Sequence, residues 1–92
     1  MTEDRLNSIT QDIISMLLKK NQDYGGASFD LGINGNMVHL WDKIRRYRSL
    51  VEKTYGSTSS PNFESIEDTL KDIIGYALIG LLILESQENE KV

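Results

Sequence analysis

Residues 64–86 read Glu-Ser-Ile-Glu-Asp-Thr-Leu-Lys-Asp-Ile-Ile-Gly-Tyr-Ala-Leu-Ile-Gly-Leu-Leu-Ile-Leu-Glu-Ser, and this stretch decides the fold. Ile66, Leu70, Ile73, Ala77, Leu81 and Leu84 recur every three or four residues, the stripe of a helix. The run from Ile73 to Leu84 is broken only by Gly75 and Gly80 and is flanked directly by Asp72 and Glu85. A bilayer span needs about 20 apolar residues, so the run reads as a buried helix and no membrane partner is expected. Up to Asp72 the helix has one apolar and one acidic face. Beyond it Ile79, Leu82 and Ile83 occupy the angles that were acidic, and a helix apolar nearly all round needs neighbours on every side.

Two further helices are all that the chain offers as neighbours. One covers about residues 3–21, where Leu6, Ile9, Ile13 and Leu17 form a stripe widened by Ile14 and Leu18, with Thr2 as N-cap. The other covers about 36–53, with Asn36 as N-cap and Met37, Leu40, Trp41, Ile44, Tyr47 and Val51 within one apolar arc. Between them lies a Gly-rich loop over 22–35, and a turn-forming Gly-Ser-Thr-Ser-Ser-Pro stretch precedes the third helix. No segment alternates apolar and polar residues as a strand would. The expectation is an all-α fold, one domain over residues 1–92, built as a small three-helix bundle. Two helices can hardly cover the third, so the bundle is expected to be completed by homo-oligomerisation through residues 73–84, the alternative being a monomer in which the first helix folds fully over it.

Composition narrows the chemistry. The 92 residues contain no Cys, one His and one Pro, which excludes thiolate metal sites, cysteine nucleophiles and paired-histidine relays within one subunit. The net charge of −4 argues against binding duplex nucleic acid, which demands a basic surface. That charge is unevenly divided. Residues 36–53 carry five basic and two acidic side chains, a local +3 that leaves −7 for the remainder. Such a division suits a small phosphorylated ligand. The charged N-terminus is not followed by an early apolar core, so a cytoplasmic setting is expected, the host cytoplasm if the protein is phage-encoded.

Three places can carry chemistry. On the third helix Glu64, Glu67, Asp68 and Asp72 share a sector of about 140°, a density of like charge that calls for compensation. Mg²⁺ would compensate it, as would basic side chains from a neighbouring helix; the bland reading is a solvated acidic face. On the second helix His39, Lys43 and Arg46 stand at i, i+4 and i+7, a stripe able to hold phosphate. The competing reading pairs Asp42 with Arg45 or Arg46, and Lys43 with Asp68 or Asp72. In the loop, Asp23-Tyr24-Gly25-Gly26-Ala27-Ser28-Phe29 offers exposed backbone N–H groups and a stacking ring in Tyr24 or Phe29. Its competing reading is a helix C-cap at Gly25 followed by a packed surface loop.

The order of these features resembles a family. Lys-Asn-Gln-Asp-Tyr-Gly (20–25), Trp-Asp-Lys-Ile-Arg-Arg (41–46) and Glu-Ser-Ile-Glu-Asp-Thr-Leu-Lys-Asp-Ile-Ile-Gly-Tyr-Ala (64–77) are similar to the nucleotide-modification-associated domain family, small all-α proteins of phages and prophages. The resemblance covers about residues 10–84 and places the family's characteristic positions on Asp23, Tyr24, Gly25, Lys43, Arg46, Glu64, Asp68, Asp72 and Tyr76. A more distant resemblance is to the MazG-like all-α nucleoside triphosphate pyrophosphohydrolases, which hold Mg²⁺ between two acidic helix motifs. Glu64, Glu67, Asp68 and Asp72 look like the second of those motifs. The first is missing, with Lys43 and Arg46 where carboxylates would stand.

The combined expectation is a nucleotide-binding protein that acts on or sequesters a small phosphorylated nucleotide. Its ligand-binding residues would be Asp23, Tyr24, Gly25, Gly26, His39, Lys43, Arg46 and Tyr76. Mg²⁺ on Glu64, Glu67, Asp68 and Asp72 would add phosphohydrolase activity. Two other readings stand beside it: a non-catalytic sponge for a nucleotide immune signal, and a purely structural helical interaction protein.

Overall fold

The computed structural model describes residues 1–56 and 63–90; the side chains of Tyr24, Phe63, Glu64 and residues 88–90 lie outside the description. Three helices, α1 (Glu3–Tyr24), α2 (Gly32–Gly56) and α3 (Phe63–Glu90), and a short 3₁₀ turn at Ala27–Phe29 account for almost all of it. No strand occurs among the described residues, so the fold is all-α, a small bundle. No described helix is long and apolar enough to cross a membrane.

α1 begins and ends for local reasons. Thr2 is extended (φ −125°, ψ 155°), and its Oγ1 accepts a hydrogen bond from the Arg5 N–H at 3.2 Å, capping α1 as its sequence implies. Gly25 closes α1 in the left-handed region (φ 59°), its N–H donating to the Asn21 carbonyl at 2.9 Å. The C-cap reading of Gly25 is therefore the one the structure adopts.

The connection after it is much shorter than the loop over 22–35 that the composition implies. Residues up to Tyr24 remain in α1, and α2 starts at Gly32 (φ +62°) rather than at Asn36. Gly and Asn are poor helix formers, which makes residues 32–36 read as loop. Tertiary packing overrides that preference: Gly35 and Asn36 are both buried inside α2. Asn36 is thus not an N-cap but a contact between helices. The turn-forming stretch ahead of α3 falls, beyond Gly56, outside the described residues.

α2 and α3 pack along most of their lengths as an antiparallel pair. Asn36 is 4% exposed, and its Nδ2 donates to the Tyr76 carbonyl at 2.7 Å. Further along, Lys43 faces Asp72 and Arg46 donates to the Thr69 hydroxyl. Residue numbers rise on one helix as they fall on the other, which defines the register. Gly80 makes the approach possible, since a Cβ there would lie 2.6 Å from Asn36 Oδ1. Gly75 serves α1 in the same way, with Leu17 Cδ2 3.0 Å from where its Cβ would be. The two glycines that interrupt the apolar run are the points where α1 and α2 meet α3.

This polar register rotates α2 away from the arc that periodicity assigns to the core. Leu40, Tyr47 and Val51 are half-buried, whereas Met37, Trp41 and Ile44 face outward, Trp41 at 64% exposure. On α1, Ile13 is fully buried, but Leu6 and Ile9 at its start are about half exposed. The buried apolar side chains among the described residues are Ile13, Ile79 and Ile83 alone. The Cα radius of gyration, 15.5 Å, exceeds the roughly 12 Å of a compact chain of this length.

The two glycines should respond differently to a methyl group. Gly80→Ala meets an amide held by its own hydrogen bond in a buried place, and should lower unfolding free energy by about 1–2 kcal/mol despite alanine's better helix propensity. Gly75→Ala meets the rotatable end of Leu17 and should be neutral or stabilising by about 0.5 kcal/mol. Asn36→Ala added to Gly80→Ala should cost little more, because both remove the same contact. Urea denaturation of the four proteins reads all three outcomes.

Candidate functional site

The three helices meet at one carboxylate. Asp72 of α3 accepts from Lys20 of α1 at 3.1 Å through Oδ1, and faces Lys43 Nζ of α2 at 3.4 Å through Oδ2. Asp72 and Lys43 are largely shielded, while Lys20 is half exposed. The cluster carries a net charge of +1 and forms one wall of a cavity of about 260 Å³ enclosed by α1, the 3₁₀ turn, α2 and α3. Much of the remaining lining is apolar, with Leu17, Phe29, Ile79 and Leu82. Polar groups from Asn21, Ser28 and Tyr76 stand at its sides. Small-molecule sites typically have volumes of about 300–1,000 Å³, so the cavity falls just below that range.

Local sequence explains why these groups converge. Lys20 continues the spacing of Ile13 and Leu17 and so shares the face of α1 that packs on α3. Lys43 and Asp72 lie within the α2–α3 seam, between the Asn36 and Arg46 contacts. The left-handed turns at Gly25 and Gly26 (φ 59° and 82°) reverse the chain tightly enough to lay the 3₁₀ turn, with Ser28 and Phe29, over the cavity.

Of the residues singled out for ligand binding, Gly26, Lys43 and Tyr76 line this cavity. His39 lies outside it and stacks on the Tyr76 ring, centroids 5.0 Å apart and planes inclined by 11°. Arg46 is directed elsewhere: its Nε donates to Thr69 Oγ1 at 3.3 Å, and that hydroxyl donates to the Ser65 carbonyl at 2.7 Å. Gly25 serves as the cap of α1, and Asp23 is exposed on its last turn. The side chain of Tyr24 falls outside the description.

The four carboxylates of α3 are divided as well. Asp72 faces the cavity, Glu67 pairs with Lys71 one turn along at 3.3 Å, and Asp68 is exposed. The Glu64 side chain lies outside the description. Among the described residues no three His, Asp or Glu side chains gather where a metal ion could be held. Asp72, tied to two ammonium groups, is the compensated carboxylate that pairing with Lys43 across the helices implies.

Lys20, Asn21 and Ser28 line the cavity as well, although none is among the residues expected to bind ligand. The signal for Lys20 was present, because a lysine extending an apolar stripe by one turn must either snorkel or find a counter-charge. Asn21 and Ser28 carry no such mark.

A family model described as Nucleotide modification associated domain 1 matches residues 20–84, from Lys20 through the apolar half of α3. No curated protein and no solved structure matches the chain.

Removing the shared counter-charge should expose the two lysines to each other. Asp72→Asn preserves shape, and should cost about 0.5–1 kcal/mol of stability at low ionic strength, a figure discounted for the exposure of Lys20. The loss should shrink in about 0.5 M salt, where the Debye length falls to a few ångströms. Paired urea titrations at the two salt concentrations check it.

Proposed function

The chain belongs to the nucleotide modification associated domain 1 family, and from that premise we propose that it binds a small phosphorylated nucleotide in the cavity between its three helices. The observation that carries this reading is the convergence of two lysines from different helices on one cavity whose remaining lining is mostly apolar. A phosphate placed beside Lys20 and Lys43 would supply the negative charge that Asp72 only half provides. Ammonium groups are strong point-charge donors to phosphate oxygens. The apolar lining of Leu17, Phe29, Ile79 and Leu82 would receive a base or sugar face, with Asn21, Ser28 and Tyr76 placed to hydrogen-bond its edges.

Binding without hydrolysis fits the charges better than metal-assisted chemistry does. A Mg²⁺ ion needs carboxylates that converge on it, and Asp72 is already neutralised from two sides. The sponge reading, retention of a nucleotide signal in a phage-infected cell, requires only this binding step. A homo-oligomer is a separate part of the proposal, since the apolar side chains buried among the described residues, Ile13, Ile79 and Ile83, are a small core for one folded chain.

A panel of nucleotides, linear and cyclic, titrated calorimetrically with and without Mg²⁺, tests the proposal. Lys43→Met should weaken binding about 10–100-fold, the usual worth of a charge-assisted hydrogen bond. Asp72→Asn should strengthen it, since both lysines then face the phosphate alone. Recovery of intact nucleotide from heat-denatured protein supports retention. Turnover that requires Mg²⁺ and disappears in Asp72→Asn would replace this reading with an enzymatic one, and no binding across the panel at millimolar concentration would leave a structural role.

A further inference from the structure

The outer face of α3 carries a pattern that the bundle uses only at Leu81, which with the neighbouring Leu78 and Glu85 borders a groove against Ile14, Leu17 and Leu18 of α1. Leu70, Ile74, Ala77, Leu81 and Leu84 follow one another at intervals of four, three, four and three residues. That is the alternation of the two core positions in a coiled coil, sustained over two heptads. All five are exposed, Leu81 at 64%. The stripe lies on the side of α3 away from the cavity, whose lining on this helix comes from Asp72, Gly75, Tyr76, Ile79 and Leu82.

We propose that this stripe is the self-association surface of the protein, and that two copies of α3 pair across it antiparallel about a two-fold axis. In an antiparallel seam the two kinds of core position face each other. Ile74 of one copy then meets Leu84 of the other, and Ala77 meets Leu81, with the axis midway between the Ala77 and Leu81 layers. The small Ala77 side chain leaves room for Leu81 of the second copy, the alternation of large and small that lets facing layers interdigitate.

The flanking residues decide the direction. Lys71, Leu78 and Glu85 form one line beside the stripe, seven residues apart. Antiparallel pairing brings Lys71 of each copy beside Glu85 of the other, twice per dimer, and the two Leu78 side chains beside the axis. Parallel pairing would put Lys71 level with Lys71 and Glu85 level with Glu85, forgoing both attractions. In the single chain Lys71 turns back to Glu67, an exposed i, i+4 pair weak enough to be exchanged for Glu85 of the second copy. Because the surface is isologous, association closes at the dimer along this face and leaves both cavities open. The proposal goes beyond nucleotide binding and does not depend on it.

Light scattering of the full chain at micromolar concentration should give at least twice the 10.5 kDa chain mass. Leu81→Glu should abolish association through this face while a helical circular dichroism spectrum is retained. The charge swaps supply a milder pair of variants should that protein fail to fold. Lys71→Glu and Glu85→Lys alone should each raise the dissociation constant about several-fold, and the double swap should restore it. In mixed isotope-labelled and unlabelled protein, carbodiimide coupling should join Lys71 of one copy to Glu85 of the other. A monomer under these conditions overturns the proposal. So does association that survives Leu81→Glu but is lost in Trp41→Glu, which would move the interface to the outer face of α2. Binding of nucleotide by a monomeric variant would leave the cavity reading intact, so the two proposals fail separately.

Discussion

The close approach of α2 to α3 at Gly80 is the constraint from which the rest of the molecule follows. With no side chain at residue 80, the Asn36 amide enters α3 deeply enough to bond the Tyr76 carbonyl. That single buried contact sets which residues of α2 oppose which residues of α3. It places Lys43 beside Asp72 and Arg46 beside Thr69, and it turns Trp41 and Met37 outward. A seam of polar contacts of this kind contributes modest stability, but it is intolerant of slippage, because every alternative register strands a buried polar group. The price in this chain is a helix pair with a thin apolar core.

Asp72 then does for α1 what Asn36 does for α2. α1 reaches α3 through the Lys20–Asp72 pair, through Leu17 and Met16 at Gly75, and along an apolar groove that Ile14 and Leu18 share with Leu78 and Leu82. A carboxylate shared by two lysines holds three helices about one point, and it leaves excess positive charge at the edge of a cavity. Site and scaffold are therefore not separate parts of this molecule. The same charges that position α1 are those that a phosphate would meet.

Much of the fold was legible because helix periodicity and capping are local. Three helices in this order and the Thr2 cap follow from short-range geometry, while α1 runs past its expected end near residue 21 to the alternative stop at Gly25. The beginning of α2 was not legible, because glycine and asparagine in residues 32–36 carry a loop signal that only burial against α3 reverses. The outward rotation of Trp41 was hidden for a related reason: an apolar arc assumes that apolar burial chooses the face, and here polar contacts choose it. At the site, Tyr76 stood out through the family resemblance alone, and Lys43 and Asp72 by spacing and charge. Arg46 had the same credentials, yet its guanidinium goes to a threonine on the neighbouring helix. Asn21 and Ser28 become site residues only when the chain is folded, because nothing in their local sequence sets them apart from other polar residues near a helix end or turn.

The slender attachment of α1 has a thermodynamic corollary. α1 and the 3₁₀ turn provide one side of the cavity, and α3 with Lys43 provides the other. A molecule filling that space would touch both, and would act as the missing piece of core between them. Ligand occupancy and the docking of α1 are then one coupled equilibrium, in which saturation by a ligand adds RT ln(1 + [L]/Kd) to the stability of the closed form. Such a chain would release its cargo by loosening a helix, and would hold it most firmly when the fold itself is most complete.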